Sequence, residues 1–281
     1  MLFQSLFVCV LIVNVCFTIV DLMIRKTSLN VNTAKYIAQR STLTVSFTLL
    51  WMLLDNGFEQ TISLYSSMQI IGCAILCGIG LFSFVEATKK LAFANLLVIQ
   101  AIGPILQQFI GKWLFNESAS STLYISFLIA LIGVLIQSQI PKNSKGIWLA
   151  LISISAWTLG YSLMSIPLKN TAMIWSVLFV EGTILFIAIS GLVFRKKIQD
   201  LFQSKIPKPV ILIAMITVIG SYMLNYIYKH FQITNIAWFN LIFLPTTVLV
   251  SQFIFEEKIS RKEIISNLII LIAFAFHHFC S

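Results

Sequence analysis

Ten apolar runs account for most of this chain of 281 residues. A helix that spans the hydrocarbon core of a bilayer needs about 20 apolar residues, and every run is close to that length. Short turns with charged residues or proline separate the runs, which cover residues 3–24, 33–54, 66–87, 91–113, 121–140, 146–166, 172–194, 209–229, 234–254 and 262–279. The pattern predicts an all-α integral membrane protein with ten transmembrane helices.

The low charge content excludes a soluble protein. Charged residues make up 10% of the chain and hydrophobic residues 58%, whereas about a quarter of a soluble domain is charged. The net charge of +9 comes from Lys and Arg collected in the turns between runs, where they set orientation and contact lipid headgroups. We therefore expect membrane lipids and a small-molecule substrate as partners, and no nucleic acid.

The cysteines are typical of packed apolar helices. All five lie in or at the ends of apolar runs, and Cys73 and Cys77 have no His or further Cys near them in sequence. Such positions favour buried, unbridged thiols. We expect no metal, no cofactor and no disulfide, in a protein that is a monomer or a homodimer.

Two stretches repeat one another at an offset of 140 residues. Asn95–Glu117 and Asn235–Glu257 each begin with Asn, cross an apolar run with one interior proline and close on Glu. The same offset aligns Gly80 with Gly220, Lys89 with Lys229 and Phe115 with Phe255. Polar matches are rare by chance in so apolar a chain, so we predict two five-helix repeats, residues 1–140 and 141–281, in one membrane domain.

The odd number of helices in each repeat determines the topology. A five-helix repeat begins and ends on opposite sides of the membrane, so the second copy enters with the opposite orientation. The halves are therefore expected to form an inverted repeat with a pseudo-two-fold axis in the membrane plane. Secondary transporters commonly have this architecture, with the substrate site near the midplane where the repeats meet.

The residues around the repeated stretches carry a family resemblance. Ser83–Asn95 reads SFVEATKKLAFAN before the proline-containing run, and residues 226–235 read YIYKHFQITN before the second one. These motifs resemble the drug/metabolite transporter superfamily, specifically its EamA-type ten-helix permeases. The resemblance covers nearly the whole chain. It implies a carrier or exporter of small metabolites, amino acids or amines that works by alternating access, expected in the bacterial inner membrane.

Orientation is a departure from that family. Fifteen Lys and Arg fall in the connections after the odd-numbered predicted helices, and three fall in the other connections. The positive-inside rule then places both termini outside. Family members commonly have cytoplasmic termini, so the charge bias and the resemblance give opposite orientations.

Predicted helices 1 and 6 carry polar stripes at equivalent positions. The first contains Asn14 and Thr18, followed by Asp21 and Arg25, and the second contains Thr158 and Tyr161 beside Trp157. The spacing places each set on one helix face. These faces are candidates to line a substrate cavity. The alternative is that their hydroxyls bond the backbone or a neighbouring helix.

Further candidates for substrate binding lie on four other predicted helices. They are Glu86 on helix 3, Gln100 on helix 4, Tyr222, Asn225 and Tyr226 on helix 8, and Trp238 on helix 9. Aromatic faces with one acid are able to hold an amine through cation–π attraction. Alternatively, Glu86 pairs with Lys89 or Lys90 and the tyrosines form an interfacial belt.

Glu181 is the most informative single residue. It lies about nine residues into predicted helix 7, where an acid costs about 2.5–3.5 kcal/mol on insertion scales and is a functional hypothesis by default. It could carry a proton coupled to transport. It could instead form an ion pair with Arg40 on helix 2, whose equivalent position is Val180, or it could be tolerated in lipid without a role.

Other function classes remain as alternatives. One alternative is a carrier of a sugar, nucleotide-linked or phosphorylated metabolite. A phosphorylated substrate or a sugar nucleotide usually needs several basic groups, and Arg40 alone offers little support. An intramembrane enzyme needs convergent nucleophile–base or metal-ligand sets, and no HExxH, GxSxG or paired-aspartate motif occurs in the apolar runs. We therefore predict no catalytic residues. A structural membrane protein is the third possibility.

Overall fold

The computed structural model describes residues 2–55, 57, 62–91, 93–100, 102–118, 120–137, 143–202, 206–241 and 261–280. Within these ranges the secondary structure is helical, which confirms the all-α prediction. The helices are α1 (Leu2–Ser28), α2 (Thr33–Leu54), α3 (Leu64–Thr88), α4 (Phe93–Gln100), α5 (Ile102–Leu114), α6 (Ser121–Gln137), α7 (Ser144–Leu168), α8 (Met173–Phe194), α9 (Gln199–Phe202), α10 (Lys208–His230), α11 (233–241) and α12 (Arg261–Cys280).

Six helices, α1, α2, α3, α7, α8 and α10, are long and apolar enough to cross a membrane. They are the first three helices of each predicted repeat, and they give the chain the character of a multi-pass integral membrane protein. Helices α4 and α5 replace the single helix predicted over 91–113, with α5 ending one residue later, and α11 covers the start of the run 234–254. Residues 242–260, which include Pro245, Glu256 and Glu257, lie outside the described residues.

Short polar side chains begin several of the long helices. The side chains of Asn32, Ser63 and Asn143 each accept a hydrogen bond from the backbone N–H three residues later, at 3.1–3.2 Å. Such caps satisfy N–H groups that have no partner in the first turn of a helix. Together with the charged turns they set where α2, α3 and α7 start.

The helix contacts of one half recur in the other half. Helix α3 packs along α7, and their equivalents at the 140-residue offset, α10 and α1, also pack together. The α3–α8 contact is matched in the same way by α10–α2. Helix α2 packs against its own equivalent, α8, and α6 packs against its own equivalent, α12.

Burial also repeats at the offset, although most of the side chains differ. Each residue of 6–24 is buried, partly buried or exposed as is the residue 140 positions later, and the same holds for 71–89 and 211–229. A polar contact repeats as well: Lys89 Nζ donates to the Val31 carbonyl and Lys229 Nζ to the Thr171 carbonyl, both at 2.9 Å. The two halves therefore share one packing scheme.

Candidate functional site

A cavity of about 230 Å³ lies between the two halves. It is below the usual range of about 300–1,000 Å³ for drug-sized ligands, so it suits a small molecule. The sequence predicted that helices 1, 3, 4, 6, 8 and 9 would line the cavity. In the structure these predicted helices correspond to α1, α3, α4 with α5, α7, α10 and α11. All of these contribute, and α2 and α8 join them through Arg40, Glu181 and Ile184.

Lining positions occur in equivalent pairs. Six pairs of residues 140 positions apart have both members in the cavity wall: Asn14 and Ile154, Phe17 and Trp157, Asp21 and Tyr161, Cys77 and Thr217, Leu81 and Ser221, and Gln100 and Asn240. Half of the 24 described lining positions therefore recur in the other half. Their side chains are mostly different.

Arg40 and Glu181 form a buried ion pair at the cavity wall. Arg40 Nη2 lies 2.8 Å from Glu181 Oε1 and Nη1 lies 3.3 Å from Oε2, and the two side chains are 5% and 4% exposed. Ser41 Oγ donates to Glu181 Oε2 at 2.8 Å. The ion pair foreseen as one alternative for Glu181 is thus present. Arg40 Nε has no hydrogen-bond partner among the described residues.

The contact between Ser41 and Glu181 joins equivalent positions of the two halves. The two residues are 140 positions apart, and they lie on α2 and α8, the helices that pack against their own equivalents. Arg40 corresponds to Val180 in the other half. The ion pair therefore lies at the junction of the halves, and both of its charges have uncharged counterparts.

Asp21 is a second carboxylate in the cavity wall. It is partly buried on α1, and its carboxyl interacts with Arg40 and with the Gln100 side chain. Among the described residues it has no ion pair within 4.0 Å. The sequence placed Asp21 on the polar stripe of the first helix but did not select it, although it is an acid whose equivalent, Tyr161, was selected.

Amide side chains cross another part of the wall as a hydrogen-bonded chain. Asn14 Nδ2 donates to Asn240 Oδ1 at 3.4 Å, Asn240 Nδ2 donates to Gln107 Oε1 at 3.3 Å, and Gln107 Nε2 donates to the Tyr228 hydroxyl. Asn14 precedes Asp21 by seven residues, or about 10 Å along the helix axis. The cavity thus has a charged level around Asp21 and a neutral polar level around Asn14.

Most residues predicted on the first stripes and the central pair reach the cavity. Asn14, Gln100, Trp157, Thr158 and Tyr161 line it together with Arg40 and Glu181. Thr18 is buried but is not among the lining residues. The position of the seven lining residues is compatible with substrate binding, which stays a prediction for each of them.

The residues predicted on α10 are not among those that line the cavity. Tyr222 stacks on Trp51 with ring centroids 5.0 Å apart, Asn225 Nδ2 donates to Ser176 Oγ at 2.6 Å, and Tyr226 packs against His230 and Phe231. The face of α10 that lines the cavity instead carries Thr217, Ser221, Leu224 and Tyr228. These four have the spacing of one helical stripe, and the predicted residues are one or two positions off it.

Glu86 and Trp238 also have structural partners outside the cavity. Glu86 accepts hydrogen bonds from Thr33 and, at 3.3 Å, from Lys89. This is the pairing considered as its alternative role. Trp238 is 1% exposed, packs against His277 and belongs to a small apolar cluster between α6, α11 and α12.

Glu117, which closes the first repeated stretch, caps a helix of the other half. Its carboxylate accepts hydrogen bonds from the backbone N–H groups of Ile233 and Thr234, both at 2.9 Å. An anion at the first turn of a helix satisfies free donors and interacts favourably with the helix dipole. Asn235 is the third residue of α11 and is exposed, so Glu117, and not this asparagine, caps the helix.

Comparisons with known proteins show the fold alone. No family model matches the chain, and no curated protein matches it. Twenty-nine chains of solved structures are similar to it. One of them, a crystal structure described only as that of a protein, has a TM-score of 0.73 and 13% sequence identity, over 99% of this chain and 97% of that chain.

Proposed function

We propose that the protein is a secondary transporter that carries a small metabolite, an amino acid or organic amine, by alternating access. The observation that supports this most is the cavity between the halves, with equivalent positions of both halves in its wall. In carriers built from repeats, one half rocks against the other around a fixed site at their junction. Arg40, Asp21 and Glu181 supply the charges of such a site.

The finer architecture is part of the proposal. Ten transmembrane helices would form two inverted five-helix repeats, 1–140 and 141–281, in one membrane domain. The recurring helix contacts, the recurring burial and the Ser41–Glu181 contact between equivalent positions support a two-fold relation of the halves. The odd number of helices in each repeat makes it an inverted one.

We also propose membership of the drug/metabolite transporter superfamily, as an EamA-type permease in a bacterial inner membrane. The support is the resemblance of the motifs around Glu86 and Asn95 and the recurrence of the helix contacts in the two halves. The positive-inside rule favours external termini. A reporter fused to each terminus measures the orientation directly.

Glu181 is proposed to couple transport to protons. Its ion pair with Arg40 lies where the two halves meet, so movement of the halves alters the pair. Breaking a buried pair exposes an uncompensated charge, which proton uptake on the carboxylate relieves. Each transport cycle can therefore involve one protonation of Glu181.

Counterflow in proteoliposomes tests both parts of the proposal. Proteoliposomes that contain the purified protein are preloaded with unlabelled propylamine, alanine or glucose. Entry of the labelled compound is measured together with the pH inside the vesicles. We expect counterflow of propylamine or alanine with proton movement, and we expect Glu181→Gln to abolish the proton movement. The surface variant Asp55→Asn, at the exposed end of α2, is the matched control.

The outcomes separate the two parts. Unchanged proton movement in Glu181→Gln contradicts the coupling role and leaves the carrier function standing. Counterflow of glucose alone replaces the amine or amino acid with a sugar. Absence of counterflow for all three compounds contradicts the carrier proposal for these substrate classes.

A further inference from the structure

The charges in the cavity wall do not balance. The described lining residues include two carboxylates, Asp21 and Glu181, and one guanidinium, Arg40. The other titratable side chains there, Cys77, Tyr161 and Tyr228, carry no charge at neutral pH in their ordinary state. With all three charged groups ionised, the wall has one negative charge in excess.

The excess charge belongs to Asp21. Both terminal nitrogens of Arg40 are engaged by Glu181, at 2.8 and 3.3 Å, and the Ser41 hydroxyl completes that pair. Asp21 has a longer-range interaction with Arg40 and the contact with Gln100. A carboxylate without its own counterion is costly at membrane depth. A cation that enters the cavity removes this cost, as a proton on the carboxylate also does.

The surroundings of Asp21 suit an organic cation rather than a bare metal ion. Phe17 lies one helical turn before Asp21 on the same face of α1, and both line the cavity. Trp157 and Tyr161, their equivalents on α7, line it from the other half, and Tyr161 stacks on Tyr228 with centroids 6.0 Å apart. Aromatic faces attract ammonium groups, most strongly where water is excluded.

We propose that the Asp21 carboxylate binds the ammonium group of a small monovalent organic amine in this cavity. The bound amine makes the wall and ligand neutral together. A zwitterionic amino acid leaves the excess charge in place, and a carboxylate ligand increases it. Arg40 lines the cavity and is 4% exposed, and its Nε has no hydrogen-bond partner among the described residues, which makes it a candidate donor to a neutral oxygen of the ligand.

This inference rests on the proposed carrier function for its role in transport, whereas binding at Asp21 can be measured without transport. It narrows the substrate class from amino acids or amines to amines. The sequence contained the signal, an acid on the polar stripe of the first helix. The charge imbalance itself depends on the ion pair between Arg40 and Glu181, which leaves Asp21 without a counterion in contact.

The test is a binding comparison with four three-carbon probes on protein in lipid nanodiscs. Propylamine, propanol, propionate and alanine are matched in size and differ in charge, and binding is measured by calorimetry or saturation-transfer NMR. We expect propylamine to bind about tenfold or more tightly than the other three, the size of one charge-assisted contact. Asp21→Asn should remove that preference, whereas Asp21→Glu should keep it in part and Asp55→Asn in full.

A labelling experiment on the unchanged protein covers the case in which Asp21→Asn does not fold. A hydrophobic carbodiimide modifies buried carboxyls, and mass spectrometry locates the adduct. Propylamine should slow the modification of Asp21, counted as the carbodiimide adduct plus the propylamide that the amine forms from it, and propanol should not. Equal slowing by both probes, no slowing by propylamine, or a propylamine preference that survives Asp21→Asn overturns the proposal.

Transport separates this inference from the carrier proposal. Counterflow that is insensitive to Asp21→Asn supports a carrier and contradicts the site. Selective binding of propylamine at Asp21 without counterflow supports the site and contradicts the carrier.

Discussion

Two pairs of equivalent positions show how the halves of the molecule differ. Lys89 and Lys229 do the same thing, since each donates from Nζ to the carbonyl of an equivalent residue at 2.9 Å. Asp21 and Tyr161 both line the cavity, but one is an acid and the other a phenol. The halves therefore share a framework of helix contacts and backbone positions, but they carry different functional side chains in the cavity.

The ion pair between Arg40 and Glu181 explains why the side chains at equivalent positions must differ. Ser41 and Glu181 are equivalent residues that touch each other, so a fully symmetric chain would place two identical side chains in contact there. Two carboxylates would repel one another in a site of low dielectric constant. A Ser in one half and a Glu in the other avoid this, and Arg40, opposite Val180, supplies the compensating charge.

The largest effect is expected from breaking this asymmetric pair. Arg40→Leu leaves Glu181 buried without its cation, which costs about 3–5 kcal/mol for a pair that is almost fully buried. Unfolding of the purified protein in mixed micelles, followed by circular dichroism, measures the loss.

The double variant Arg40→Leu with Glu181→Leu is the control. It removes both charges, so it should recover most of the stability, because replacing a whole buried pair by apolar side chains is often neutral. A double variant as unstable as the single one would show that the site depends on shape rather than on charge balance.

Sequence reasoning found the framework more readily than the cavity. The apolar runs and the 140-residue offset depend on local composition and spacing, and the described helices follow them. Which face of a helix meets the cavity depends on packing between helices distant in sequence. Tyr222 and Tyr226 were therefore selected on α10, whereas Thr217 and Tyr228 line the cavity. The Arg40–Glu181 ion pair was one alternative predicted for Glu181, because the offset places the equivalent of Arg40 next to it.

An effect of intermediate size on stability is expected from two glycines at equivalent positions of the two halves. A Cβ on Gly80 would lie 2.6 Å from Trp157 Cδ1, whereas a Cβ on Gly220 would lie 3.2 Å from Cys16 Cβ. Alanine in a helix gains up to about 1 kcal/mol over glycine, but overpacking costs about 1–3 kcal/mol. Gly80→Ala should therefore destabilise, and Gly220→Ala should be close to neutral.

Thermal unfolding of both glycine variants in the same nanodiscs measures the difference. The two substitutions are chemically identical and occupy equivalent positions, so each is the control for the other. Equal losses would mean that the Trp157 ring moves aside as easily as the smaller side chains near Gly220.

The smallest effect is expected where the halves are most alike. Lys89→Met and Lys229→Met each remove one hydrogen bond to a carbonyl. Lys89→Met also removes the hydrogen bond to Thr33 Oγ1 at 2.7 Å and the contact with Glu86, whose side chain is 40% exposed, although Thr33 keeps its own hydrogen bond to Glu86. Exposed ion pairs contribute about 0.2–1 kcal/mol, so the two variants should differ by less than about 1 kcal/mol. A double-mutant cycle with Glu86→Gln measures the Lys89–Glu86 term. A larger loss of unfolding free energy in Lys229→Met than in Lys89→Met would show that the equivalent lysine–carbonyl contacts contribute unequally to stability in the two halves.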